Sequence, residues 1–434
     1  MTKDERKQAI FQITKGESFV SQQGTGKLLL YRGKTEEFKV YNIPMDYLVL
    51  NVENGRVASL VKSYEKEHGP LHPENPGDAK ILSQFLYEAH DKANDYTKDN
   101  IAKNGQLEPG IITSDGILVD GNRRFSLMWA ISHDDKSSPD EKARCEYFRA
   151  VVLPEDADEK EILRLETSFQ MGADEKVGYN PIEKYLHARD MKDRGFSVHE
   201  IAEYMGCGKP SEVDIMLEVM GLIDDYLGWC DCEGIYTRLQ RGVEDDLLKL
   251  NTACKKIYKG DIGWIQEGCQ EAVLNDLKSV CFDYIRLNMK GDDDFDFRAI
   301  ASTSSNNFLL NESIWKQFIE DWGNATNGIE EETIDEVLSK SHNQTDSKRL
   351  LDARDNKWRG AVKEKMKEAF SNASNVLENK KERDKPGMLI KKAANALKEV
   401  DICTLSSIPN LAEVKGYLND IKNILKKIET HISE

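Results

Sequence analysis

Gly116-Ile-Leu-Val-Asp-Gly-Asn-Arg-Arg-Phe-Ser-Leu-Met-Trp-Ala-Ile131 is the stretch on which the interpretation of this chain depends. Residues 117–119 form a short apolar run, which is typical of a buried strand. Asp120-Gly121-Asn122 is a turn pattern, and apolar residues then recur at helical spacing from Phe125 to Ile131. The stretch therefore predicts a strand, a glycine turn and the start of a helix.

A turn of this kind offers free backbone N–H groups and the positive end of a helix dipole to an anion. Gly121 would let the backbone approach a phosphate closely, and Arg123 and Arg124 would neutralise its charge with forked hydrogen bonds. Asp120, at the end of the strand, is a candidate ligand for Mg²⁺ on the far side of the phosphates. The pattern also fits a purely structural turn, whose surface arginines pair with acidic neighbours.

Several further motifs occur in order along the chain. They are Tyr41-Asn42-Ile43-Pro44, the segment from Asn51 to Arg56, Gly105-Gln106-Leu107-Glu108-Pro109, Gly121-Asn122-Arg123-Arg124 and Asn180-Pro181-Ile182-Glu183. Over about residues 40–227 this order resembles the ParB/sulfiredoxin superfamily, in which ParB proteins usually carry Gly-Glu-Arg-Arg at the turn. The resemblance implies an α+β fold, with a small mixed-sheet nucleotide-binding domain, a helix-turn-helix module and an all-α C-terminal half.

The resemblance also implies a ligand, namely a nucleoside triphosphate (CTP as in ParB, or ATP as in other members) with Mg²⁺. The residues implied to bind the nucleotide are Arg56, Gly121, Asn122, Arg123 and Arg124. Asp120 and Glu166 are the residues implied to manage the metal ion and the hydrolytic water. For Arg56 an exposed arginine after the Asn54-Gly55 turn is an equally good interpretation.

Two departures from the family pattern limit the chemistry. ParB proteins carry Glu-Asn-x-x-Arg in the helix that follows the sheet, whereas this chain has Leu165-Glu166-Thr167-Ser168-Phe169-Gln170-Met171, without the arginine. Glu166 matches the family acid only after a shift of one residue, so binding is expected and hydrolysis, as a CTPase or ATPase, is left open. Asn122 stands where the sulfiredoxin cysteine would be, and an amide cannot reduce a sulfinic acid.

The bulk composition sets the class of protein. A chain of 434 residues is too long for one compact core, and no apolar run reaches the length of a membrane span. The charged start of the sequence does not fit a signal peptide, and the eight cysteines show no Cys-x-x-Cys spacing. We therefore expect a cytoplasmic protein with reduced thiols and no membrane contact. The formal net charge of −17 disfavours nucleic-acid binding without a concentrated basic patch.

Turn and helix-boundary signals divide the sequence into four predicted regions, residues 1–175, 176–228, 229–345 and 346–434. In the first region, Lys27 to Arg32, Glu37 to Ile43 and Glu146 to Leu153 are predicted strands, the first two joined by a Gly33-Lys34 turn. Helices are predicted from Ala79 to Asn94 and from Asp158 to Gln170, and the polar segment from Asp91 to Asn104 is predicted to be an insertion.

The second region has the pattern of a helix-turn-helix module. Asn180, with Pro181 and Glu183, and Ser197, with Glu200, predict two capped helix starts, and Pro210-Ser211 predicts a third helix that continues to Met220. The positions that would face a DNA groove carry Ser211, Glu212 and Asp214. Acidic residues read DNA poorly, so a structural or protein-binding role is favoured over DNA binding.

The remaining chain is predicted to be largely helical. Loops are predicted at residues 301–307 and 324–332, and an acidic turn at 290–298. From Lys357 onwards one apolar face precedes Pro386-Gly387 and another follows it. The last helix, starting at Pro409-Asn410, keeps the a/d spacing of a coiled coil at Leu411, Val414, Leu418, Ile421, Leu425, Ile428 and Ile432. Its partner is either another helix of this chain or a second copy.

Two hypotheses of function follow. The first is a ParB-like, nucleotide-dependent switch, which is either a binding protein or a slow NTPase, with helical modules that sense the bound state. The second is a non-enzymatic helix-turn-helix scaffold for DNA or a protein, in which the arginine turn is merely structural.

Overall fold

The computed structural model describes the chain except for residues 22–25, 90, 172–179, 290–294, 303–306, 342–343, 403–409 and 434. Its class is α+β, with one five-stranded mixed sheet near the N-terminus and a helical C-terminal half. The strands are β1 (Gly26–Tyr31), β2 (Lys34–Pro44), β3 (Gly110–Ile112), β4 (Leu118–Asp120) and β5 (Tyr147–Val152), in the order β1-β2-β5-β3-β4. Only the β3–β5 pair is parallel, since β1–β2, β2–β5 and β3–β4 are antiparallel.

The β1–β2 hairpin turns one residue earlier than the sequence predicted. Tyr31 pairs with Lys34, so the two-residue loop is Arg32-Gly33, and both residues have positive φ (47° and 76°). Positive φ at both positions is what a two-residue loop needs to match the twist of its strands. The strands predicted at residues 117–119 and from Glu146 to Leu153 are confirmed as β4 and β5, and β5 lies in the middle of the sheet.

Seven helices surround this sheet in the described part of residues 1–171. They are α1 (Lys3–Lys15), α2 (Ala58–His68), α3 (Pro76–Glu88), α4 (Asp91–Asn104), α5 (Asn122–Ser132), α6 (Pro139–Arg144) and α7 (Glu159–Met171). The prediction of one helix from Ala79 to Asn94 followed by a polar insertion was wrong, because two separate helices occupy this segment. The main core contains buried residues of α3, α5 and the sheet, among them Phe85, Met128 and Phe148.

Three helices follow, α8 (Pro181–Asp193), α9 (Val198–Tyr204) and α10 (Pro210–Trp229). The predicted capping box at Ser197 is confirmed, and Asn180 caps α8 by accepting a hydrogen bond from Ile182 N. The predicted partnership of Glu183 with this cap was wrong, because Glu183 instead accepts hydrogen bonds from the backbone N–H and hydroxyl of Ser59. Helix α10 continues well beyond the predicted end at Met220.

The C-terminal half contains α11 (Val243–Tyr258), α12 (Gln270–Leu287), α13 (Glu312–Thr326), α14 (Ile334–Leu338), α15 (Gln344–Lys398) and α16 (Leu411–Ser433). Helix α13 covers the first residues of the loop predicted at 324–332, and α15 begins before Lys357. Helix α15 also runs through Pro386, which the sequence placed between two apolar faces; a proline removes one helical hydrogen bond and need not end the helix. Pro409 and parts of the segments 290–298 and 301–307 lie outside the described residues.

The chain forms two compact units, Met1–Ser371 and Asn372–Glu434. The four regions predicted from the sequence stay predictions. In the second unit, Leu418 and Leu425 of α16 are each 45% exposed, so the predicted partner of its apolar seam also stays a prediction. Among the described residues, no helix combines the length and the apolar character needed to cross a bilayer.

Candidate functional site

A cavity of about 290 Å³ lies at the N-terminus of α5. Six of the seven residues that the sequence singled out line it, namely Arg56, Asp120, Gly121, Asn122, Arg123 and Arg124. Helix α4 contributes a second wall with Thr97 and Asn100. The fold therefore brings the loop after β2, the arginine turn and α4 to one concave surface.

The turn between β4 and α5 requires glycine. Gly121 has φ of +99°, and a Cβ at this position would lie 2.8 Å from the Phe148 ring. This geometry gives Gly121 a structural reason for its identity that does not depend on a ligand. Gly121 is also the N-cap of α5 and has no side chain to cap the helix, so the first N–H groups of α5 have no side-chain acceptor among the described residues.

Asn122 is buried, and its side chain links two parts of the backbone. Its Oδ1 accepts a hydrogen bond from Asn51 N at 2.9 Å, and its Nδ2 donates to Leu118 O at 2.9 Å. A buried amide with both ends satisfied fixes the position of the Asn51–Arg56 loop relative to β4. Asn122 thus shapes the cavity through its side-chain bonds to backbone groups.

Arg124 is already paired within the chain. Its Nη2 lies 2.8 Å from Asp120 Oδ2, and its Nη1 donates to Glu108 O at 2.7 Å. Lys27 also approaches Asp120 Oδ2, at 3.7 Å, while burial lowers the pKa of this lysine. This part of the cavity is electrostatically balanced, as the structural interpretation of the turn requires.

Arg123 has different partners. Its Nε donates to Asn94 Oδ1, and its Nη2 donates to Thr97 Oγ1 at 3.0 Å. Both acceptors are neutral, and Arg123 forms no ion pair with any residue that the structure describes. Burial lowers the pKa of Arg123, and the positive charges of Arg56 and Arg124 lower it further. Arg123 is therefore a half-buried cation whose charge is not compensated by a described carboxylate.

Glu166 lies behind the cavity rather than in its wall. It is 2% exposed, and its Oε1 accepts hydrogen bonds from Gly55 N at 3.1 Å and Gln170 Nε2 at 2.9 Å. Burial is the main cause that raises its pKa to about 8. This buried carboxyl, tied to the Gly55 backbone, supports the loop that carries Arg56.

A metal ion would find few ligands in the described part of the chain. No group of three or more His, Cys, Asp or Glu side chains there is arranged to hold one. Asp120 uses Oδ2 for its two cations, and its Oδ1 has no partner among the described residues. The donor set therefore fits a Mg²⁺ ion that is held mainly by phosphate oxygens and by one protein oxygen.

Lys27, Asn94 and Thr97 are among the residues of this site that the sequence interpretation missed. Lys27 reaches Asp120 from the edge strand β1. Asn94 and Thr97 lie three residues apart on α4, together with Ile101 four residues further, so they share one helix face. That spacing was visible in the sequence, but the polar composition of the segment concealed the helix.

Comparisons of this chain with protein-family models, with curated proteins and with solved structures found no match. The case for a function therefore depends on the geometry of the cavity and on the chemistry of the residues that line it.

Proposed function

We propose that the chain is a nucleotide-binding switch protein, which binds the polyphosphate of a nucleoside triphosphate in the cavity at the N-terminus of α5. The observation that carries this proposal is Arg123, a half-buried guanidinium with two neutral acceptors and no described carboxylate. Arg56 and Arg124 line the same cavity. Three converging arginines beside an uncapped helix N-terminus favour a multiply charged anion.

The residues of the turn would divide the work. Arg123 would pair with the phosphate, and the first N–H groups of α5 would donate to its oxygens. Arg124 is oriented in advance by Asp120 and by Glu108 O, so it would contribute positive charge with little loss of side-chain freedom. Asp120 would hold Mg²⁺ through its Oδ1, and the ion would supply further neutralisation of the phosphate charge.

The size of the cavity indicates how a nucleotide would lie. Small-molecule sites usually measure about 300–1,000 Å³, so a cavity of 290 Å³ is at the lower limit for a whole nucleotide. A second cavity of about 340 Å³ shares Arg56 as a lining residue and also contains Ser59, Asn180 and Glu183. We place the phosphates beside Arg123 and the nucleoside on the Arg56 side. The base is either cytosine or adenine, as the sequence resemblance implies.

Binding is favoured over hydrolysis. Glu166, the residue expected to handle the attacking water, does not line the cavity, and its carboxyl is held by Gly55 N and Gln170. A general base must reach the water that it activates. We therefore assign Glu166 to the support of the Arg56 loop and propose a switch whose output is a change of conformation or partner.

The test is a melting-temperature screen of CTP, ATP, GTP and UTP, each with Mg²⁺, beside inorganic tripolyphosphate. A ligand at about 100 times its Kd stabilises the folded state by about 2.7 kcal/mol, which corresponds to a rise of several degrees. We expect this rise for at least one nucleotide, its loss in Arg123→Ala, and its retention in the control Arg349→Ala, whose side chain is 76% exposed. No rise with any nucleotide, or an equal rise in Arg123→Ala, would overturn the proposal.

A second candidate function is a scaffold that binds a protein through α10. At the start of this helix Ser211, Glu212 and Asp214 are exposed, and Ile215 beside them is 37% exposed. An acidic surface with an apolar residue suits a basic protein partner better than a phosphate backbone. A gel-shift assay that detects DNA binding with a steep salt dependence would reverse this preference.

A further inference from the structure

A larger cavity, of about 690 Å³, lies beside α5 but away from the arginines. The first turn of α5 lines the arginine cavity, whereas Phe125, Ser126, Leu127 and Trp129 line this one. Its other walls come from α3 and from the segment between Met45 and Leu50. A volume of 690 Å³ is in the middle of the range for small-molecule sites.

The inner surface of this cavity is apolar. Met45, Leu48, Leu50 and Leu127 are all at most 7% exposed, and each lines the cavity. Binding of an apolar chain or ring in an apolar cavity of this size is favourable, because the apolar surfaces of the cavity and of the ligand are both removed from water. The interior therefore selects for a ligand with an extended hydrocarbon part.

Ser126 adds a polar group to this apolar surface. The residue is 8% exposed, and its hydroxyl forms no hydrogen bond with any residue that the structure describes. Ser126 lines the cavity, so its hydroxyl is available to form a hydrogen bond with a ligand oxygen. This second observation indicates a ligand that carries an oxygen as well as a hydrocarbon part.

The charged residues of the lining have an excess of positive charge, in contrast to the chain as a whole. Three are basic (Arg6, Lys80 and Lys98) and two are acidic (Asp46 and Glu74), whereas the chain carries −17. Arg6 lies 3.4 Å from Glu74, and Lys98 lies 3.9 Å from Asp134, which does not line the cavity. Lys80 is exposed and forms no ion pair with a described residue. Lys80 is therefore the basic lining residue that no described carboxylate neutralises, and its charge is complementary to an anionic head group.

We propose that this cavity is a binding site for an amphipathic carboxylate of the fatty-acid class, with its chain on the apolar surface and its head group near Lys80. The site is independent of the nucleotide site, since it shares no lining residue with the arginine cavity. Its ligand would lie against α5 and α3, and so against the helix that begins at the arginine turn.

The experiment titrates the full chain with dodecanoate, below the concentration at which it forms micelles, and follows heat and tryptophan fluorescence. Dodecylammonium, which has the same chain and the opposite charge, is the matched ligand control. We expect saturable binding of one dodecanoate, and binding of dodecylammonium that is weaker by about tenfold, equivalent to about 1.4 kcal/mol. Saturation by neither ligand, or tighter binding of the cation, would overturn the proposal.

Variants locate the binding. Ser83→Phe and Ala79→Phe each place a ring into the cavity from α3, and we expect either to weaken dodecanoate binding by about tenfold or more. Lys80→Glu at the exposed rim should weaken it by several-fold, while Lys103→Glu, an equal charge change away from the cavity, should leave it unchanged. Far-UV circular dichroism checks that each variant is folded. Unchanged affinity in Lys80→Glu and in whichever phenylalanine variant folds would place the ligand elsewhere and refute the assignment.

Discussion

Two clusters of arginines in the described part of the chain differ in their partners. In the helical half, Arg286 pairs with Glu331 and with Asp355 Oδ1 at 2.9 Å, and Arg238 reaches Asp355 Oδ2 at 2.6 Å. In the sheet domain, Arg123 donates hydrogen bonds to the neutral oxygens of Asn94 and Thr97 and pairs with no carboxylate of the described residues. Guanidinium groups that only stabilise a fold are normally matched with carboxylates, because an unmatched buried charge is costly. The difference therefore separates a structural cluster from a cluster that is suited to an external anion.

The buried carboxyls of the two regions show the same contrast. Burial alone would raise the pKa of Asp355, but hydrogen bonds and charges from Arg286 and Arg238 outweigh it and lower the pKa. Glu166 forms no ion pair with a described arginine, and Arg194 acts on it only through its charge, so burial remains the main cause and raises the pKa of Glu166 to about 8. Asp355 is thus held as a charged partner, whereas Glu166 is held as a neutral acid at pH 7.

The largest expected effect comes from breaking the structural cluster. Asp355→Ala would leave Arg286 and Arg238 without their shared carboxylate, and removing one partner of a buried pair costs about 3–5 kcal/mol. Arg123→Ala should lower the free energy of unfolding by less than about 1.5 kcal/mol, since it removes two neutral hydrogen bonds and relieves repulsion from Arg56 and Arg124. Urea denaturation of the two variants beside the parent measures both changes.

The two variants control each other, because both change a charge in a buried or half-buried setting. If Arg123→Ala were as destabilising as Asp355→Ala, Arg123 would be a structural residue. The two arginine clusters would then both be structural.

A smaller effect concerns pH. The pKa of Glu166 is about 8 in the folded chain against an ordinary value of 4.5, so between these values the folded chain keeps a proton that the unfolded chain releases. Stability therefore falls as pH rises through this interval, by at most about 1.4 kcal/mol per pH unit. His187 opposes this trend only at lower pH, since burial lowers its pKa from 6.5 to about 4 and its contribution is gained as pH rises to 6.5.

Glu166→Gln isolates this term, because glutamine does not titrate. Between pH 6.5 and pH 8 the free energy of unfolding of the parent should fall by about 2 kcal/mol relative to the variant. Denaturant titrations at the two pH values measure the difference. Parallel behaviour of parent and variant would show that the Glu166 carboxyl is ionised in the folded chain, and would remove the contrast with Asp355.

The sequence predicted the turn and most of the residues that line the cavity, but not which of the two arginines is paired with a carboxylate. The strand, the glycine turn and the helix from Asn122 are local patterns, so residues 116–131 were predicted correctly. The partners of Arg123 and Arg124 come from α4 and from residues 108 and 120, and an acidic chain offers many carboxylates for either arginine. The packing of α4 against α5 decides that Arg123, rather than Arg124, has neutral partners, and no local sequence pattern predicts that packing. Helix α4 itself was missed because its buried face contains Asn94, which the hydrophobic periodicity does not detect.

The smallest expected effect comes from supplying the missing carboxylate. Thr97 accepts a hydrogen bond from Arg123 Nη2 at 3.0 Å, so Thr97→Asp would place a carboxylate beside that guanidinium. The new pair should raise the free energy of unfolding by about 0.5–1 kcal/mol without ligand, while Thr97→Val, which removes only the hydroxyl, should lower it by about 1 kcal/mol. Thr97→Asp should also abolish the melting-temperature rise with nucleotide, because the new carboxylate would neutralise the Arg123 guanidinium with which the phosphate would otherwise pair. If Thr97→Asp kept the melting-temperature rise with nucleotide, the charge of Arg123 would not contribute to nucleotide binding. A phosphate that binds equally well beside a carboxylate at position 97 is not held by the Arg123 guanidinium.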